Sequence, residues 1–197
     1  MNTISKDSLI KLITAGTASF FMLMGIVFNI VIKTDGWNWA SSLILLLAPL
    51  ALLAFAVLET STPNVIQPVY YLGILTVLAL NELIKSIHYL VNMGEMKFQR
   101  ASLFAEFILS LVMVAATIIT IISGTKYKSM FIPFVVSVTY ITYGHFNGII
   151  KNFFLFWGKL FGGYNVGAAF RTFSIEIAMF LSILLVVYVI YKTNKES

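Results

Sequence analysis

Long apolar runs broken by short polar turns organise the whole chain. A helix needs about 20 mostly apolar residues to cross a bilayer. Six runs meet that length: Leu9–Ile32, Ala40–Leu58, Val65–Val91, Ala101–Ile122, Met130–Ile150 and Phe170–Tyr191. None alternates with period two, and each is about twice as long as a transmembrane strand, so the pattern predicts helices. The breaks are polar. Lys33–Gly36 is followed by the interfacial aromatics Trp37 and Trp39, Glu59–Asn64 contains Pro63, and Ser123–Ser129 separates the fourth run from the fifth. Pro68 falls in the first turn of its helix, where a missing N–H is harmless. Pro49 lies inside the second run and predicts a kink. The first run follows Lys6, includes Lys11, is too long for a signal-peptide core and has no small-x-small site after it. It is read as a retained helix.

Two stretches depart from simple spans. In Asn81–Val91 the apolar residues Leu83, Ile84, Ile87, Leu90 and Val91 form one helical stripe, so the third helix turns amphipathic near its end. Its polar face carries Asn81, Glu82, Lys85, Ser86, His88 and Asn92. Asn152–Tyr164 crowds Phe153, Phe154, Phe156, Trp157 and Phe161 around Lys159. It reads as an interfacial or re-entrant flap, hinged by Gly158, Gly162, Gly163 and Gly167.

Composition agrees with the pattern and closes other classes. Charged residues are 11% of the chain, against about 25% in soluble domains. Mean hydropathy is +0.94. So few charges cannot coat a soluble globule, keep a chain disordered or build a nucleic-acid surface. The expected fold is all-α: a polytopic integral membrane protein of six transmembrane helices in one bundle, one domain over residues 1–197, with the lipid bilayer as its surroundings. The absence of Cys removes disulfides, thiolate metal sites and Cys nucleophiles.

An even number of crossings puts both termini on one side. That terminal side carries Lys6, Lys11, Lys126, Lys128, Lys192 and Lys195; the opposite side carries Lys33, Lys97, Arg100, Lys151, Lys159 and Arg171. The positive-inside comparison is a tie. Lysines in short loops and tails tip the expectation toward cytoplasmic termini in a plasma membrane.

Helix parity also sorts the chemistry. Glu82, Lys85 and His88 near the end of helix three, Glu106 near the start of helix four, His145 and Asn147 near the end of helix five, and Arg171 and Glu176 at the start of helix six all fall toward the opposite side. The terminal side has no comparable set, with Glu59 and Asp7 read as ordinary flanking charges. At 1.5 Å per residue, Glu106 and Glu176 enter the membrane by roughly 7–9 Å. Such charges cost about 2.5–3.5 kcal/mol each and usually face a bundle interior or wet cavity. Tyr140, Tyr143, Asn147 and Lys151 trace a polar face on helix five. The candidate ligand-binding set is therefore Glu82, Lys85, His88, Glu106, Tyr140, Tyr143, His145, Asn147, Arg171 and Glu176, converging on a polar vestibule. Lys85, Arg100 and Arg171 are the candidate partners of the two carboxylates. No metal site is expected, and the residues name no cofactor. HExxH, GxSxG, GxGxxG and P-loop motifs are all missing from the sequence.

Three functions fit these residues. The first is transport or binding of a small polar solute, anions included. The second is an intramembrane enzyme acting on a lipid or lipid-linked substrate, with His145 or His88 as base and Tyr140 or Tyr143 as donor. The third is a structural subunit held together by buried ion pairs. In helix one, Ala15 and Ser19 are four residues apart in a small-residue patch that permits close helix approach, and they are a candidate docking face for a partner subunit. In length, helix number and this small-residue first helix the chain is similar to the substrate-binding subunits of energy-coupling-factor vitamin transporters, without any diagnostic motif of that family.

Overall fold

The computed structural model describes residues 5–34, 36–62, 66–92, 97–123, 128–162 and 166–196, and all of it is helical or connecting turn. The helices are α1 (Lys6–Ile32), α2 (Gly36–Ser61), α3 (Pro68–Asn92), α4 (Lys97–Ser123), α5 (Lys128–Gly162) and α6 (Val166–Glu196). Five of them (α1, α2, α3, α4 and α6) are long and apolar enough to cross a membrane among the described residues. The chain is a helical membrane bundle.

Local chemistry sets the ends of α1. The Ser5 hydroxyl accepts from the Ser8 N–H at 3.1 Å, an N-cap, and Asp7 sits in the first turn, where a negative charge complements the helix dipole. At the other end Lys33 adopts a left-handed conformation (φ 49°), and the Thr34 N–H donates to the Asn29 carbonyl at 3.2 Å. With the Lys33 N–H donating to the Ile30 carbonyl at 3.3 Å, this closes the helix as a Schellman motif. α2 remains one helix through Pro49.

Each helix packs on its neighbours in chain order, and α6 returns to α1. α6 also touches α2 and α3 and is the most buried of the five apolar helices, so it forms the centre of the bundle. Small residues let α1 lie close to it. A Cβ placed on Gly25 would come within 2.7 Å of Ile175 Cγ1 on α6. Gly25→Ala is accordingly expected to destabilise the bundle by about 1–3 kcal/mol, the usual cost of overpacking. Unfolding of the purified protein in detergent measures it; an unchanged midpoint would show that α6 has room to move away.

Two expectations change here. Ala15 is fully buried and Ser19 nearly so, and the Ser19 hydroxyl donates to the Pro49 carbonyl at 3.0 Å. The small-residue face of α1 is therefore consumed inside the chain by α2 and α6 rather than presented to a second subunit. The aromatic stretch after Ile150 is not a separate flap either. α5 continues without a break to Gly162, because no strong helix breaker interrupts it and single glycines are tolerated within helices. Its aromatics pack sideways. Phe153 meets Phe173 at 6.0 Å between ring centres, Phe156 meets Phe170 at 5.6 Å, and Phe170 in turn meets Phe28 at 4.8 Å. These contacts fasten the extension to α6 and α1. Gly163 and Tyr164 lie outside the described residues.

Candidate functional site

Four helices supply a polar cavity of about 180 Å³. α3 contributes Glu82 and Lys85, α4 Glu106 and Ser110, α5 Tyr140, Ile141, Gly144 and His145, and α6 Glu176. The charged groups come from the C-terminal half of α3, the middle of α5 and the N-terminal halves of α4 and α6, the same end of an antiparallel bundle. That end is opposite to the chain termini.

His145 is the hub. It is 6% exposed. Its Nδ1 lies 2.5 Å from Glu176 Oε2, and its Nε2 lies 4.0 Å from Glu82 Oε1. With Glu176 ionised its carboxylate accepts, so that Nδ1–H donates to it and the ring is oriented. Glu82 is also paired with Lys85, one helical turn on, at 3.6 Å. Glu106 lines the same cavity and has no hydrogen bond or ion pair among the described residues. Arg100, a candidate partner for it, has its side chain outside the described residues. Nε2 of His145 is likewise buried without a hydrogen-bond partner among the described residues.

Backbone makes room for the hub. Gly148 lies one turn beyond His145 on α5, and a Cβ there would fall 3.0 Å from Glu176 Cδ and 3.2 Å from its Oε2. Gly148→Ala should push the Glu176 carboxylate away from His145. The expected result is a weakened histidine–carboxylate contact, read as a shifted His145 ring resonance in NMR spectra. An unperturbed resonance would mean that Glu176 has another way to accommodate the methyl group.

The structure brings together Glu82, Lys85, Glu106, Tyr140, His145 and Glu176 from the candidate set. It places the other four elsewhere. Tyr143 is 63% exposed and points to an apolar groove between α5 and α6, and Asn147 is exposed beside it. The polar face of α5 drawn through Tyr143 and Asn147 is thus rotated from the true inner face, which runs through Ser137, Ile141, His145 and Gly148. His88 is partly exposed, with its ring 5.9 Å from that of Tyr89. Arg171 turns toward α1, where its Nε donates to the side-chain carbonyl of fully buried Asn29. Asn29 in turn donates to Ser42 at 2.9 Å and accepts from Thr34 at 3.1 Å, joining α1, α2 and α6. Arg171 is therefore not the rim cation of the cavity. No group of three His, Asp or Glu residues suited to a metal ion occurs among the described residues.

The terminal end holds a network that sequence reasoning missed. Lys11, buried in α1, donates to Glu59 Oε2 of α2 at 2.7 Å and pairs with Asp7 at 3.1 Å. Tyr71 of α3 donates to the other Glu59 oxygen at 3.1 Å. Tyr188 and Lys192 of α6 reach Asp7 at 2.8 and 3.1 Å. Four helices are cross-linked here, and the start of α1 is held against the end of α6. Asp7 and Lys11 are spaced i, i+4, the one local signal of pairing. Nothing local points to Glu59, Tyr71 or Tyr188 as their partners.

Comparison of the chain with protein families, curated proteins and solved structures found no match. The likeness in length and helix number to energy-coupling-factor subunits therefore carries no family assignment.

Proposed function

We propose that this chain is a small membrane transport-type protein that takes a small polar solute into the cavity between α3, α4, α5 and α6. One observation carries the reading: three carboxylates, Glu82, Glu106 and Glu176, share one cavity with a single lysine and a single histidine. Charges so placed are costly inside a membrane unless they do work on a ligand or path. At about 30 Å³ per water, the space suits a ligand the size of about six waters, below the usual range for drug-sized pockets. The balance of charge supports a positively charged solute over the anion that Arg171 would have favoured. The buried network of Lys11, Glu59 and Asp7 supports access from one side, because it ties the terminal end shut.

In this reading the membrane is the plasma membrane, the termini are cytoplasmic and the cavity faces outward, supported by the lysines in short loops and tails of the terminal side. Reporter fusions at both ends should report the cytoplasm; two ends on opposite faces would overturn the helix parity. Uptake of a panel of radiolabelled small solutes into proteoliposomes tests the function. Accumulation of a cationic solute by the wild type, lost in Glu106→Gln, is the expected result. Equal uptake by both, or none by either, contradicts it. The His145–Glu176 pair is also the arrangement of an oriented general base, which favours the lipid-directed enzyme as the second reading. Turnover of a lipid-linked substrate that depends on His145, without solute uptake, would select it.

A further inference from the structure

The acceptors around His145 specify more than positive charge. When the ring is neutral and its Nδ1–H is committed to Glu176, Nε2 presents a lone pair. That atom is buried and has no hydrogen-bond partner among the described residues, and His145 is one of the residues lining the cavity. Glu82 Oε1, a second acceptor, is 4.0 Å away. Two acceptors at that separation do not bond each other, yet both are satisfied by one donor group between them. A nitrogen about 2.9 Å from each, the ordinary N–H···O distance, would see them about 90° apart. That is about 20° narrower than the angle between two N–H bonds of a tetrahedral ammonium, a bend of about 10° at each hydrogen bond, within the favourable range. Glu106, which has no ion pair among the described residues, supplies the third wall and a negative charge.

We infer that the ligand of this cavity is a protonated amine whose N–H groups bridge His145 Nε2 and Glu82 Oε1, with Glu106 as its counter-charge. The inference rests on the transport reading and names its substrate class. A primary or secondary ammonium has both the charge and the two donors; a quaternary ammonium has the charge alone. Lys85 pairs with Oε2 of Glu82 at 3.6 Å and leaves Oε1 to the ligand. The proton stays on the amine throughout, and no covalent step is involved.

Calorimetric titration of the full-length protein in nanodiscs tests this with n-butylammonium, butyltrimethylammonium and butyrate. Saturable n-butylammonium binding is expected, at least tenfold weaker for the quaternary analogue and none for butyrate. Glu82→Gln and Glu106→Gln should each weaken n-butylammonium at least tenfold. Where a variant fails to fold, the wild type still answers: the chain has two histidines, and the ¹⁵N resonance of His145 Nε2 should move as n-butylammonium is added. Equal binding of the quaternary analogue would overturn the bridge. So would an unmoved Nε2 resonance, or binding of butyrate alone. If no amine binds but another solute is taken up in a Glu106-dependent way, the amine assignment falls and the transport reading stands. If nothing is taken up, both fall.

Discussion

Lys11→Met should cost the protein about 3–5 kcal/mol, the penalty for removing one partner of a buried ion pair. Lys11 is 8% exposed and Glu59 is 7% exposed, at 2.7 Å from each other. Without the ammonium, Glu59 keeps only the Tyr71 hydroxyl among the described residues, and Asp7 keeps Tyr188 and Lys192. The stranded Glu59 charge, more than the lost attraction, sets the size of the effect. The double variant Lys11→Met/Glu59→Met should therefore recover most of the loss, since apolar replacements of buried pairs are often neutral. Unfolding midpoints of the two single variants and the double variant make a complete cycle. Penalties that simply add would show that the two side chains do not interact, and would remove the terminal clamp from the account.

The second large effect concerns the cavity. Glu106→Gln and Glu176→Gln should each weaken solute binding or uptake by about 10- to 100-fold. That range corresponds to the roughly 1.5–3 kcal/mol of a hydrogen bond to a charged group. The two variants should differ in stability. Glu176 is bonded to His145 at 2.5 Å and packed against Gly148, so its replacement disturbs the hub. Glu106 has no bonded partner among the described residues, so its replacement should leave unfolding nearly unchanged. Substitutions at Lys126, Lys128 or Lys195, lysines of the breaks and tails in the sequence, should change uptake by less than about twofold. Uptake assays and thermal unfolding on the same preparations separate the effects. Equal loss of stability in both carboxylate variants would argue for a purely structural role.

The apolar runs made the bundle legible, because a bilayer demands length and hydrophobicity that few other environments demand. Helix parity then placed Glu82, Glu106, His145 and Glu176 at one end without any knowledge of packing. Rotation about each helix axis was much less legible. Tyr143 and Asn147 are polar and follow helical spacing with Tyr140, yet α5 turns its Ser137–His145–Gly148 face inward. Gly148 on that face lets Glu176 approach, and the sequence of α5 alone does not reveal what α6 will bring. Arg171 was placed by depth correctly at the end of α6 but by direction wrongly, since its partner Asn29 lies far away in sequence on α1. The terminal clamp was hidden for a similar reason. Lysines and carboxylates near helix ends ordinarily snorkel to the headgroups, and only the packing of α1, α2, α3 and α6 turns Asp7, Lys11 and Glu59 inward. The extension of α5 past Ile150 was obscured by its aromatic content, which suits an interface and a helix–helix seam equally well.

A polar cavity reached only from the face opposite the termini is the central claim, and the chain's lack of cysteine makes it directly measurable. Ser110 is buried on the cavity wall contributed by α4, and Ser110→Cys adds a single thiol with little change in size. In vesicles of known orientation, a membrane-impermeant thiol reagent should label this cysteine when added on the face opposite the termini and should fail to label it from the terminal face. Labelling from the terminal face, or equal labelling from both, would contradict the account.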